Sequence, residues 1–338
     1  MIDPGLWLDF RRAGLAMCAF PEALGGVGLC EASHHLELCT ILRLIGAGDL
    51  AIARLFEGHL NAISLVSRYG SEAQLGALAA DVADGALSAV WAANDAAGLT
   101  LVSDGSTSAL QGRKILASGA GLVTRPLVTA RNSDGEWMCL LRLAADHPTD
   151  LSQWKAQGMR STATGTVDLS NLIIAAADVV GAAGDFTKQP IFSAGAWRFC
   201  AAQLGAVERL VDLFRDHLVA RGRDQDPFQR QRMAHSAAAA RTARFWVEEA
   251  ARRFCTQEED ADGLVAFVNL TRTVTERSAL DVMELVQRGI GLSGFMRPHP
   301  VERISRDLST YLRQPVPDQA MSDAAGALLG SKLPMGEW

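Results

Sequence analysis

The stretch GIGLSGFMRPHPVERISRD (289–307) joins a glycine-rich turn, GIGLSG (289–294), to the charged segment PVERISRD (300–307). Just upstream, Leu280, Met283, Val286 and Ile290 recur at three and four residues, the spacing that puts apolar side chains on one face of a helix. The same spacing links Ala201, Leu204, Val207, Leu210, Val211, Phe214 and Leu218, and again Phe245, Trp246, Ala250 and Phe254. Short polar links such as CTQEEDADG (255–263) separate these helices, which predicts a helical bundle from about Ile191 onward. The alanine run Ala237–Ala240 fits a helix interior.

Before Ile191 the pattern changes. LSAVWAA (87–93), TSALQGRKILAS (107–118), RPLVTAR (125–131), EWMCLLRL (136–143) and TVDLSNLIIAAADVVG (166–181) are short segments. They are divided by the turn signals SDGS (103–106), NSDG (132–135) and ATG (163–165). Short strands without helices between them predict an antiparallel barrel or sandwich, and no GxGxxG follows a strand, so a dinucleotide-binding βαβ unit is disfavoured. Residues 1 to about 85 read as helical. Ala51–Tyr69 carries Ile52, Leu55, Phe56, Leu60, Ile63, Leu65 and Val66 near helical spacing, and Gly70 with Ser71 ends it.

Composition narrows the function classes. A chain of 338 residues, 49% hydrophobic and 21% charged, can bury large cores. A net charge of −6 argues against nucleic acid as partner. The six cysteines (Cys18, Cys30, Cys39, Cys139, Cys200, Cys255) form no CxxC pair and read as small buried hydrophobes of a cytoplasmic protein. No apolar run reaches the length of a membrane span, and the N-terminus lacks the pattern of a secretion signal. His34 and His35 are adjacent and diverge on a helix, so no metal site is expected.

The order of helices, strands and bundle resembles the acyl-CoA dehydrogenase family. FPEALGGVGL (20–29) looks like the family's Pro-Glu, Gly-Gly, Gly-Leu turn, although family members carry one or two more helices before it. GRKILASGAGLVTRPLVTAR (112–131) is similar to the strand pair that begins Gly-x-Lys. WKAQGMRSTATGTVDLSNLIIAAADVVG (154–181) resembles the segment with Gly-x-Arg and a Ser/Thr cluster. PVERISRD resembles the Pro-x-Glu-Lys/Arg-x-x-Arg-Asp signature. The resemblance implies a mainly α protein with a central β domain: N-terminal helices over 1–85, a middle β-barrel over 86–185, and a C-terminal four-helix bundle over 186–338.

It also implies FAD held between barrel and bundle, in a homodimer or homotetramer. By position, Trp91, Ala92, Ala93 and Gly98 would line one side of the flavin, with Leu116 and Ser118 against its ring. AANDAAGLT (92–100) stands where the family has a Thr-Glu-Pro-x-x-Gly-Ser-Asp loop, without its serine and with a shorter hairpin after it. Arg221 resembles the arginine that clamps the pyrophosphate, with Arg223 as the other candidate. Gln287, Gly291 and Gly294 resemble the turn near the adenosine, and Gln319 falls where a Gln or Glu approaches the flavin. Trp197 and Arg198 would border the substrate, an acyl-CoA or a related small molecule; the other reading is core packing by Trp197 and an ion pair by Arg198.

The family's catalytic Glu position falls on Pro315, and the alternative position, in FSAGAWRFCAAQLG (192–205), holds no carboxylate. Asp318 and His59 are the candidate acid–base residues. The bland readings are an exposed or helix-capping Asp318, and satisfied structural groups at Glu57, His59 and Asn61. The resemblance implies an FAD-dependent oxidoreductase acting on an acyl thioester or a related small substrate, and three alternatives compete with it. They are a flavin monooxygenase needing no α-proton base, a non-catalytic subunit of a heteromeric dehydrogenase, and a dehydrogenase with a relocated base.

Overall fold

The structure, a computed structural model, describes residues 4–103, 108–256 and 261–335. Residues 104–106 of the expected turn and part of the link at 255–263 lie outside them. Two compact units emerge: one of residues 1–34, 54–155 and 160–188, the other of 35–53, 156–159 and 189–338.

The first unit combines helices with a sheet. Its helices are α1 (Pro4–Arg12), most of α3 (Leu50–Tyr69) and α4 (Glu72–Ala83). Within it α1 packs on α3 through aromatic edges, Trp7 on His59 with ring centroids 5.4 Å apart and Phe10 on Phe56 at 5.6 Å. Helix α4 starts where Ser71 and Gln74 form a reciprocal capping box that satisfies two N–H groups the helix leaves open.

The strands are β1 (Ser88–Trp91), β2 (Asn94–Ser103), β3 (Ser108–Ala117), β4 (Arg125–Asn132), β5 (Gly135–Leu140), β6 (Thr149–Asp150), β7 (Gly165–Asp168), β8 (Ile173–Ile174) and β9 (Val179–Val180). Their order is β6-β7-β3-β2-β4-β5-β9, with β1 on β4 and β8 on β3. The first six residues of β4 are buried, as suits a strand flanked by neighbours. Two expectations need correction. The sheet is mixed, since β1 runs parallel to β4 with Trp91 opposite Val128. The loop expected over 92–100 is largely strand, broken by a register shift between Asn94 and Leu99. There the Asp95 carboxylate accepts the N–H groups of Ala97 and Gly98 at 3.1 Å, so a bend forms inside the strand. The β4–β5 turn at Asn132–Gly135 follows its sequence signal: Asn132 Oδ1 accepts from Asp134 N at 2.9 Å, and Gly135 takes a positive φ of 138°.

The second unit is helical: α2 (His35–Gly48), α5 (Ile191–Ala194), α6 (Trp197–Ala220), α7 (Pro227–Thr256), α8 (Ala261–Ile290), α9 (Pro300–Tyr311) and α10 (Pro317–Gly330). Helices α6, α7 and α8 carry the apolar stripes read from the sequence, and α2 packs closely on α6. The PVERISRD segment forms α9 and acts as a clamp. Arg306 Nε pairs with Glu302 at 2.8 Å, Asp307 Oδ1 accepts Met159 N at 2.7 Å, and Thr310 Oγ1 accepts Gly158 N at 2.9 Å. A Cβ on Gly158 would lie 2.0 Å from the Arg306 carbonyl oxygen, so only glycine permits this approach. No helix among the described residues is long and apolar enough to cross a membrane.

Candidate functional site

In the sheet unit the unusual geometry gathers at the end of β3. Pairing with β7 is regular at Lys114 and Ala117 but shifts between them, and the residue displaced is Leu116. Leu116 adopts φ +51°, a left-handed conformation costing about 1–2 kcal/mol for a residue with a Cβ. Its side chain is 61% exposed. A large apolar side chain, strained and out in solvent, is unfavourable on both counts, so the position is a candidate for a functional role.

Ser118 follows it, half-buried. Trp91 Nε1 donates to the Ser118 carbonyl oxygen at 3.0 Å and fixes the backbone. Thr164 Oγ1 donates to Ser118 Oγ at 3.4 Å, and Thr162 and Thr164 share a hydroxyl bond of 2.7 Å. Each hydroxyl has one proton, so if Thr164 donates to Ser118, Thr162 donates to Thr164. The relay leaves the Ser118 proton available to a ligand. Ala163, between the two threonines, also has a positive φ of 46°. Thr162 and Thr164 lie in the Ser/Thr cluster visible in the sequence, but nothing in the spacing singles them out.

Lys114 holds the neighbouring segment. It is fully buried, and its Nζ donates to Asn94 Oδ1 at 2.7 Å, Thr129 Oγ1 at 3.0 Å and the Ala92 carbonyl at 3.3 Å. The Ala93 carbonyl accepts Ile115 N at 3.1 Å, so residues 92–94 are tied to β3. Burial pushes the Lys114 pKa down to about 8 from 10.5. A depressed folded-state pKa means stability is fully present above the unfolded value and is lost as pH falls through the folded one. Stability is therefore expected to rise between about pH 8 and 10.5, and Lys114→Met to remove that rise in denaturant titrations across this range. Gly98, at φ +74°, lies just beyond this segment; its carbonyl oxygen would lie 2.3 Å from a Cβ on Gly112.

His59 is occupied otherwise. It is fully buried, with Nε2 2.9 Å from the Ala16 carbonyl and Nδ1 accepting Ser88 N at 3.1 Å. Both ring nitrogens serve the backbone, which gives it a structural role in place of the acid–base role considered above. The Glu57 carboxylate is likewise held by Arg54 and Asn61.

In the helical unit, Trp197 has no exposed surface and packs beside His35 and Phe254 at centroid distances of 5.8 and 6.2 Å. Arg198 lies over the Trp197 and Phe254 rings at 5.4 and 5.2 Å. The pair belongs to the core, not to a surface where a substrate could stack on Trp197. Arg221 closes α6, exposed, with no carboxylate within ion-pair distance among the described residues, whereas Arg223 pairs with Asp226 at 3.3 Å. The Gln287 carbonyl accepts Gly291 N at 2.8 Å, Gly291 takes φ +80°, and Gly294 is buried against Ile290. Gln319 is exposed and donates to Asp323 at 2.7 Å. Asp318 is exposed in the first turn of α10, where negative charge suits the helix dipole, and Val316, not Asp318, precedes the helix. The carbonyl of Pro315 accepts Arg272 Nη2 at 2.7 Å. Among the described residues no group of three or more His, Cys, Asp or Glu side chains is placed to hold a metal ion.

Residues 1–86 match the sequence profile described as acyl-CoA dehydrogenase, N-terminal domain, and residues 186–312 match acyl-CoA dehydrogenase, C-terminal domain. The chain belongs to the acyl-CoA dehydrogenase family. Solved structures share its fold at low identity. Butyryl-CoA dehydrogenase from Megasphaera elsdenii is 18% identical, with 97% of this chain and 90% of that one covered at a TM-score of 0.84. FMN-bound TdsC from Paenibacillus sp. A11-2 is 19% identical, with 98% and 92% covered at 0.84, and TdsC is described as a dibenzothiophene monooxygenase. Methanesulfinate monooxygenase MsuC from Pseudomonas fluorescens is 17% identical, with 97% and 90% covered at 0.83. No curated protein matches the chain in sequence. For an acyl-CoA dehydrogenase family member, the Arg-Asp signature here is a packing device: Arg306 and Asp307 spend their polar groups on Glu302 and the Gln157–Met159 backbone.

Proposed function

We propose that this acyl-CoA dehydrogenase family member is a flavin-dependent oxidoreductase whose sheet unit offers the Leu116–Ser118 edge to the isoalloxazine ring. The observation that carries the reading is the left-handed, exposed Leu116 beside a Ser118 hydroxyl whose proton the threonine relay leaves unspent. These residues fit a flavin: Leu116 supplies an apolar face, Ser118 a donor to the ring edge, and Trp91 with Lys114 keeps the surrounding backbone in place. A bound flavin supplies two-electron transfer, which no side chain here provides. Within the helical unit, taken by itself, Arg221 is a guanidinium with no carboxylate in ion-pair distance among the described residues, and no side chain lies near Gly291, features that suit a phosphate and a close backbone approach. FMN is the other flavin to test, because the TdsC structure is FMN-bound.

The substrate is an acyl thioester or a related small molecule. A second reading, a flavin monooxygenase, is favoured by the acid–base inventory. Pro315 holds the usual base position, Asp318 sits on an exposed helix turn, and both nitrogens of His59 are committed. Chemistry run by reduced flavin and oxygen needs no α-proton base. A homo-oligomer, or a companion chain that carries a carboxylate base, belongs to the same proposal and is read by light scattering.

The purified chain is expected to take up FAD or FMN with a visible flavin spectrum. Ser118→Ala should weaken binding about tenfold, the worth of one good hydrogen bond to a ligand. Absence of binding to either flavin, alone or with a companion chain, would overturn the reading. Anaerobic bleaching by acyl-CoA marks the dehydrogenase; no bleaching, with fast reoxidation by oxygen and a hydroxylated product, marks the monooxygenase.

A further inference from the structure

The helical unit contains a cleft beside Pro315 and the 192–205 segment, lined by side chains to which the flavin reading gives no role. Phe199 and Gln203 of α6, Arg272, Thr273 and Glu276 of α8, and Gln314 after α9 line a small recess, open to solvent. Its charges do not balance. Glu276 is engaged by Arg313, so that pair is neutral. Arg272 meets only uncharged oxygens, the Pro315 carbonyl at 2.7 Å and Asn269 Oδ1 at 3.5 Å, and its guanidinium lies 5.6 Å from the Phe199 ring centre. No carboxylate lies within ion-pair distance of it among the described residues. Glu276 also acts on Arg272 from beyond ion-pair distance, but it is shared with Arg313, so the cleft sets two cations against one carboxylate; burial pushes the half-buried Arg272 down in pKa and Glu276 opposes it only in part. A guanidinium partly withdrawn from water with no carboxylate in ion-pair reach gains from an anion that arrives to pair with it.

The neutral groups suit an anion as well. Gln203 and Gln314 each donate one amide proton to the Tyr311 carbonyl, at 2.9 and 2.7 Å, and each –NH2 keeps a second proton. Of the five N–H donors of Arg272, two are used. One net positive charge matches a monoanion, and the flat edge of a guanidinium matches a planar carboxylate through two parallel bonds.

We propose that this cleft is a binding subsite for the carboxylate group of a small-molecule ligand, with Arg272 as its counter-ion. The subsite stands on the geometry of the helical unit and goes beyond the flavin reading, which fails or holds by flavin uptake alone.

The test titrates the full chain with sodium acetate at constant ionic strength, with sodium chloride and sodium phosphate as parallel arms. Saturation-transfer NMR on the acetate methyl group reads binding, and thermal midpoints confirm that each variant is folded. A saturable acetate signal is expected, weaker by about tenfold or more in Arg272→Gln. Arg272→Lys should also weaken it, since it keeps the charge and loses the fork. Glu276→Gln should strengthen it by removing the competing carboxylate. If Arg272→Gln does not fold, the last two variants decide. The proposal is overturned if acetate does not saturate, if chloride or phosphate competes equally well, or if the Arg272 variants bind acetate as the parent does.

Discussion

Gly205→Ala is expected to break the helical unit. A Cβ at Gly205 in α6 would lie 1.9 Å from the Arg43 carbonyl oxygen and 2.7 Å from Ala47 N, both backbone atoms of α2. Gly46 of α2 makes the reciprocal approach: a Cβ there would lie 2.0 Å from the Ala202 carbonyl oxygen. No rotamer change relieves a clash with backbone, so the helices must separate and give up the packing around Leu38, Leu42, Ala201 and Ala202, all buried. The cost is on the order of 3 kcal/mol or more, or a fall of about 6–12 °C in thermal midpoint. Gly326→Ala in exposed α10 is the matched control. Nothing lies within 4 Å of that Cβ, so alanine should be neutral or stabilise by up to about 1 kcal/mol. Equal midpoints for the two variants, followed by circular dichroism, would refute the close helix crossing.

The second large effect is pH-dependent and belongs to His59. Because Nδ1 accepts the Ser88 N–H, Nε2 must carry the proton and donate to Ala16. Protonating Nδ1 would set donor against donor inside the core. Burial lowers the His59 pKa to about 4 from 6.5, with the Ala16 bond opposing in part. The sign follows from the proton count: between these values the unfolded chain binds the proton and the folded one does not. The stability it contributes is complete above pH 6.5 and is lost as pH falls to about 4, amounting to about 3 kcal/mol. Carboxylates add their own acid sensitivity, so the difference between parent and His59→Gln isolates this residue. Urea midpoints from pH 7 to 4 should fall less steeply in the variant. Parallel curves would show that His59 does not titrate in this window.

The two residues illustrate where the sequence could be read. Glu57, His59 and Asn61 stand out in an apolar helix, and their identity as polar groups is plain. Whether they face a substrate or a carbonyl depends on residues far away in the chain, Ala16 and Ser88 for His59. Arg272 shows the opposite failure. On α8 it looks like any surface arginine among Thr271, Thr273 and Glu276. Only the pairing of Glu276 with Arg313 and the turn around Pro315 leave it, among the described residues, with no carboxylate in ion-pair distance. Leu116 lay within a motif that carried the resemblance, yet its strain is a backbone fact invisible in a letter code.

Helix periodicity, strand length and turn residues are local, so the sequence alone placed α3, α6, α8 and the β4–β5 hairpin, and the motif order was enough to assign the family. Non-local pairings were decided only by the tertiary structure. The parallel partnership of β1 with β4, the docking of α2 on the helical unit and the bulge at Leu116 depend on contacts between residues tens to hundreds of positions apart. A periodic pattern says which face is apolar, not which surface will cover it; that choice rests on steric fit, as at Gly46 and Gly205, and on where each buried polar group finds a partner.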